Sequence, residues 1–146
     1  MWGGGGRWSD GRVNDPANAP EPAILKRLAE EKNVWLCTVR PDGSAHVTPV
    51  WFVYQGSRWW IGADHGSVKV RNIQNEPRVS LALEDGRFPV VAEGHASVIR
   101  EGFPREIVTA FESKYAWDVS APTRPGGGRV LFEVRVRRWL LAGVAQ

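Results

Sequence analysis

A single cysteine, Cys37, rules out an intrachain disulfide in this chain of 146 residues. It stands inside an apolar run, where an unpaired thiol behaves as a small hydrophobe, and its isolation fits a reducing, cytoplasmic setting. Histidine is nearly as scarce. His46, His65 and His95 are widely spaced, and with one thiol they offer no metal-ligand pattern. No apolar run approaches the roughly 20 residues that a membrane span requires. The N-terminus lacks the basic stretch and apolar core of a secretory signal. Phosphate-loop, dinucleotide and nucleophile-elbow fingerprints are missing too, and acidic pairs such as Glu30 and Glu31 fall on the solvent side of a helix. Any chemistry is therefore expected from a bound cofactor rather than from side chains alone.

What is present suits one domain with a real core: hydrophobic residues make up 42% of the chain. Eight tryptophans are many for this length. Trp combines a large apolar area with a polar edge, so such a count accompanies interfaces or aromatic ligand pockets. The net charge of +3 is scattered among acidic residues rather than gathered in a run. That pattern reads as a solvated surface and not as a nucleic-acid face. A phosphate on a small molecule would need only a few local charges.

Residues 1–20, rich in Gly, Asp, Asn and Pro, read as a flexible tail with Trp2 and Trp8 as points that could anchor it; residues 21–146 form the domain. Glu21 to Lys32 is expected to be a helix with Pro22 in its first turn. Val34 to Arg40 is a strand, Pro41-Asp42-Gly43-Ser44 a turn, and Ala45 to Tyr54 the returning strand, interrupted at Pro49. Arg58 to Ala63 is a third strand, on which Trp59 and Trp60 must face opposite sides. A short helix over Ser67 to Asn75, capped by Ser67, carries Lys69 and Arg71. Arg78 to Glu84 and Val90 to Arg100 are further strands, Pro104 to Tyr115 is a helix, and Trp117 to Gly128 a loop. Arg129 to Val144 supplies the closing strand or strands, with Val130, Phe132, Val134 and Val136 alternating. Six or seven strands with two or three short helices indicate a closed or nearly closed antiparallel barrel. On spacing alone, Ser67, Lys69 and Arg71 are compatible either with a phosphate grip at a helix start or with a solvated helix face.

Four blocks, Asp42 to Phe52 (DGSAHVTPVWF), Ser67 to Ile73 (SVKVRNI), Asn75 to Leu81 (NEPRVSL) and Glu93 to Ala96 (EGHA), resemble in order and spacing those of the split β-barrel flavin/deazaflavin oxidoreductase superfamily that includes pyridoxamine 5′-phosphate oxidase. The likeness extends over about Leu25 to Leu141. Within the superfamily the chain looks most similar to the group B enzymes that use coenzyme F420, and FMN-using members share the same blocks. The resemblance implies a mainly β fold with short helices (α+β): a split, antiparallel Greek-key β-barrel of the FMN-binding type. It also implies a homodimer with cofactor sites in grooves between subunits. Lys69, helped by Ser67 and Arg71, would hold the cofactor phosphate. Thr48, Pro49, Val50 and Trp51 would line the ring with backbone groups, and Ala63 would border the chain. Arg87, Phe88 and Pro89 would approach the ring from the partner subunit. The implied activity is hydride transfer from reduced F420 to an unsaturated, apolar or aromatic acceptor. The alternatives are an FMN oxidoreductase or a flavin- or haem-binding protein without turnover. No catalytic residue is assigned; His46 and Tyr54 are conceivable proton donors.

Overall fold

Turn chemistry and alternation build most of the fold, which the computed structural model describes for residues 7–9 and 20–143. In chain order the elements are β1 (Arg7–Ser9), α1 (Pro22–Glu30), β2 (Val34–Val39), β3 (Ala45–Val50), β4 (Val53–Gln55), β5 (Arg58–Asp64), α2 (Val68–Asn75), β6 (Arg78–Leu83), β7 (Val91–Ile99), α3 (Arg105–Tyr115) and β8 (Arg129–Ala142). Pro22 opens α1, where its missing N–H has no partner to lose. Gly43, at φ 89°, turns β2 into β3, and the Asp42 carboxylate accepts the Ser44 N–H at 2.9 Å and its hydroxyl at 2.6 Å. Gly56 and Ser57 both take positive φ between β4 and β5, as a two-residue hairpin turn of matching twist requires.

Every strand pair is antiparallel, and the order across the sheet is β3-β2-β6-β7-β8-β5-β4, with β1 beside β8. The two end strands, β3 and β4, follow one another in sequence. The segment from Ala45 to Gln55 therefore runs from one edge of the sheet to the other and closes it into a barrel. The expected split antiparallel barrel is what the chain forms.

The closing segment also corrects one expectation. Its break lies at Trp51 and Phe52, not at Pro49, which stays in register opposite Trp35. β3 is an edge strand, and an edge is where a residue without an N–H is tolerated. A second difference concerns the N-terminal segment: Arg7–Ser9 is a strand on β8, opposite Ala142 to Trp139. Trp2 lies outside the described residues.

Alternation on β8 buries Val130, Phe132, Val134 and Val136 in the barrel core with Trp59, Ile61, Leu36 and Leu81. Leu131 and Trp60 point the other way and are buried as well, because α3 covers that face with Ile107 and Phe111. The opposed tryptophans of β5 thus serve two separate cores. At the bulge between Glu93 and Gly94, β7 comes so close to β8 that a Cβ on Gly94 would lie 2.2 Å from the Arg135 carbonyl oxygen.

Candidate functional site

The barrel is split where β3 leaves β5. Val53 pairs with Trp60, and that ladder, if continued, would set Ala63 against Val50 and Asp64 against Pro49. Instead Val50 pairs with Val34 on β2. The pairing between the last residues of β5 and Thr48 to Trp51 is thus left open, and this break in the ladder is the gap. Since β3 ends the sheet order, one side of its backbone has no strand partner, and an edge of this kind offers N–H and C=O groups to a ligand.

Helix α2 follows immediately after β5 and packs on β7, β2 and β5. Val70 and Ile73 are buried in the core beneath it. Asn72, fully buried, donates from Nδ2 to Thr38 Oγ1 at 3.0 Å. This bond fixes which side of the sheet α2 occupies. Thr38 is opposite His46, and Leu36 is opposite Thr48, and directly paired residues share a face. His46 and Thr48 therefore line the α2 side of edge strand β3.

His46 Nδ1 and Thr48 Oγ1 on β3 and Ser67 Oγ at the start of α2 are among the buried polar atoms with no partner. Ser67 occupies the N-cap position of α2, as expected, but its side chain makes no capping bond. Lys69 is half-buried and Arg71 exposed on the same helix, and neither makes an ion pair or side-chain hydrogen bond among the described residues. Ala63 is buried near the end of β5, at 5% exposure.

Arg87, Phe88 and Pro89 lie elsewhere, on the turn between β6 and β7. Val50, Val34, Leu83 and Val90 succeed one another across the sheet, three inter-strand steps of about 4.8 Å each. Arg27 of α1 donates to the Phe88 carbonyl at 2.7 Å. The Phe88 ring is 63% exposed, and Pro89 is buried. Within one chain, then, Thr48, Pro49, Val50 and Trp51 lie on the edge strand and its break, Ala63 near the end of β5, and Ser67, Lys69 and Arg71 on the helix that follows β5, while Arg87, Phe88 and Pro89 lie on a separate turn. Of the two conceivable proton donors, His46 is on the gap. Tyr54 is not: it packs against Trp59 and Trp139, and burial raises its hydroxyl pKa.

Sequence reasoning missed the group that holds the break at Trp51 and Phe52. At the break, the Tyr115 hydroxyl accepts the Phe52 N–H at 2.9 Å, and its one proton has two carbonyls in reach, Lys32 at 2.8 Å and Phe52 at 2.9 Å. Lys114 donates to the carbonyls of Leu28 and Phe52, each at 3.0 Å, and its ammonium sits 3.7 Å from the centre of the Phe52 ring. Trp51 stacks on Tyr115 at 4.5 Å with 9° between planes and meets the edge of Trp117 at 5.4 Å. Burial and the like charge of Lys32 pull Lys114 down to about 8, while burial pushes Tyr115 up to about 12. The signal was Trp51 itself: an aromatic at a strand break needs a surface to lie on.

A phosphate-bearing, flat, polar-edged molecule fits this donor set. Lys69 and Arg71 would supply charge to the phosphate, and the open backbone edge of β3 would supply hydrogen-bonding groups to the polar edge. Among the described residues no cluster of His, Cys, Asp and Glu is arranged to hold a metal ion, and no helix is long and apolar enough to cross a membrane.

The family model described as pyridoxamine 5′-phosphate oxidase matches residues 20–142. A search of curated proteins finds no match. Among solved structures, an F420 reductase is 24% identical with a TM-score of 0.63, over 81% of this chain and 95% of that one. HutZ, a haem storage protein from Vibrio cholerae, is 19% identical with a TM-score of 0.69, over 85% and 96%. A conserved hypothetical protein from Mycobacterium tuberculosis is 24% identical with a TM-score of 0.66, over 91% and 90%. At these identities the likeness is one of fold.

Proposed function

This chain belongs to the pyridoxamine 5′-phosphate oxidase family, and from that premise we propose that it is a homodimeric oxidoreductase using coenzyme F420. It would pass a hydride from the reduced deazaflavin to an unsaturated, apolar or aromatic acceptor. The observation that carries this reading is the pair of unpaired cations Lys69 and Arg71 on α2, whose N-cap residue Ser67 makes no side-chain capping bond.

Lys69 and Arg71 supply charge for a phosphate, and Ser67 with the first-turn N–H groups of α2 supplies hydrogen bonds. The open backbone edge of Thr48 to Trp51 would offer hydrogen-bonding groups to the polar edge of the ring. Ala63, being small, leaves room on the opposite wall. Trp51, held flat by Tyr115, forms a rigid apolar side against which an aromatic acceptor packs. Arg87, Phe88 and Pro89 of the partner subunit would cover the ring and exclude water. A deazaflavin held here would supply the hydride, and solvent would supply the proton that completes reduction of the acceptor. The protein's part is positioning, exclusion of water and stabilisation of developing charge.

FMN offers the same phosphate and ring edge and is the alternative ligand. A haem-binding role without turnover is a further one, since a haem storage protein shares the fold. Titrating purified protein in parallel with F420, FMN and haem separates them. The expected result is saturable quenching of F420 fluorescence and weaker binding of FMN. Tighter binding of FMN, or a Soret band that survives gel filtration with no response to F420, would overturn the assignment.

A further inference from the structure

On the face of the barrel that α3 covers, the end of β7, the start of α3, the loop after α3 and the start of β8 line an open cavity of about 400 Å³. Its charged lining is Arg100, Arg105 and Arg129 against the single acid Glu101. Phe103 and Val108, both half-buried, give it an apolar floor. We propose that this cavity is a second ligand site, which takes a small organic anion, a carboxylate or phosphate ester carried on an apolar or aromatic body.

Arg129 is held in place: its Nε donates to the Ala121 carbonyl at 2.9 Å, its Nη2 to Thr123 Oγ1 at 2.5 Å, and its guanidinium lies 4.7 Å from the centre of the Trp117 ring. These contacts leave part of the planar fork free and already oriented, which lowers the entropy lost on binding. Thr123 in turn donates to Asp64 Oδ1 at 2.8 Å, so the loop that carries Ser120 is tied to the end of β5. Arg100 and Arg105 differ. Among the described residues neither has an ion pair or a side-chain hydrogen bond, although Glu101 and Glu106 are close in sequence. Three cations line the concavity against one acid in the lining, with Asp118 near Arg129 as a second acid at its margin, and the excess of cations favours a positive potential. The cavity also opens on the first turn of α3, an 11-residue helix whose N-cap, Pro104, makes no side-chain capping bond. The exposed N–H groups there add to the same potential.

The volume falls in the range of small-molecule pockets. Guanidinium groups pair with carboxylate and phosphate oxygens in the same two-pronged way, so the geometry selects the charge class and the floor selects an apolar body. Phe103 and Val108 would add nothing for an inorganic ion.

The test is amide NMR of the full chain titrated with benzoate, phenyl phosphate, inorganic phosphate and the neutral control benzamide. Benzoate or phenyl phosphate, or both, should shift Gly102, Phe103 and Ser120. Whichever does so assigns the anion class, and inorganic phosphate should bind more weakly than phenyl phosphate. An Arg100→Ala/Arg105→Ala variant should lose about tenfold in affinity with an unchanged melting temperature, both side chains being exposed and unpartnered. In Lys69→Ala the amides of Gly102, Phe103 and Ser120 should respond to benzoate as they do in the parent, which tells this site from a phosphate grip on α2. No shift at those amides with any anion at millimolar concentration would overturn the proposal. So would equal binding of benzamide, or full affinity in the double variant.

Discussion

Asn72 shows what a single residue does for this site. It stands in the same helix as Lys69, has no exposed surface, and ties α2 to β2 through Thr38. Replacing it by Ala removes that bond and leaves the Thr38 hydroxyl buried without its donor, at a cost of about 2 kcal/mol. Chemical denaturation should show this loss, and Thr38→Val should lose a comparable amount. If the two losses simply add in the double variant, the bond is not what couples them. Lys69→Ala should behave in the opposite way. Its side chain is half-buried and unpaired, so the fold should keep its stability while cofactor affinity drops about tenfold or more. An unchanged titration would remove Lys69 from the phosphate site. The two neighbours also show what sequence reading can reach. Lys69 announces itself by charge. Asn72 reads as one more polar residue on a solvated helix face, because its burial depends on a strand 34 positions away.

At the scale of elements, the break between β3 and β4 is held by the last turn of α3. The distance in sequence explains why it was misplaced: Lys114 and Tyr115 are 62 and 63 residues from Phe52, whereas Pro49 is a local cue. Strands with clean alternation, such as Val130 to Val136, and turns with special residues, such as Gly43, were legible because their causes are local. The hold has a pH signature. Folding takes Lys114 from an ordinary value of 10.5 down to about 8. Between those values the unfolded chain binds more protons than the folded one, so stability rises with pH across that window. Deprotonation keeps the hold, since a neutral amine still has two hydrogens for the two carbonyls. Tyr115 acts in the other direction: raised from 10.0 to about 12, it makes stability fall above about pH 10. Urea unfolding measured between about pH 7.5 and 10 should show a rise in the parent that Lys114→Met lacks. The same slope in both proteins would show that Lys114 does not titrate in this window.

For the whole molecule, the decisive feature is what a lone chain leaves uncovered. Trp35 is 43% exposed, Val47 53%, Trp51 44% and Phe88 63%. Trp35 and Val47 share the outer face of the β2–β3 hairpin, since Trp35 is opposite Pro49 and Cys37 opposite Val47. The number of tryptophans pointed to interfaces or pockets, and the structure divides them. Trp59, Trp60 and Trp139 are buried in the cores, while Trp35 and Trp51 remain at the surface. Large apolar side chains exposed together on one face mark a contact surface. A second copy seated on the β2–β3 face would cover them, and its β6–β7 turn would be free to reach the gap that the first chain's own turn does not. The protein should therefore sediment at twice the chain mass at micromolar concentration, with a melting temperature that rises with concentration. Trp35→Glu/Val47→Glu should yield a folded monomer, because both side chains lie outside the core, and that monomer should bind cofactor more weakly for want of Arg87, Phe88 and Pro89 of the partner subunit. A parent that sediments as a monomer would end the shared-groove reading. A monomeric variant with undiminished affinity would show that one chain completes the site alone.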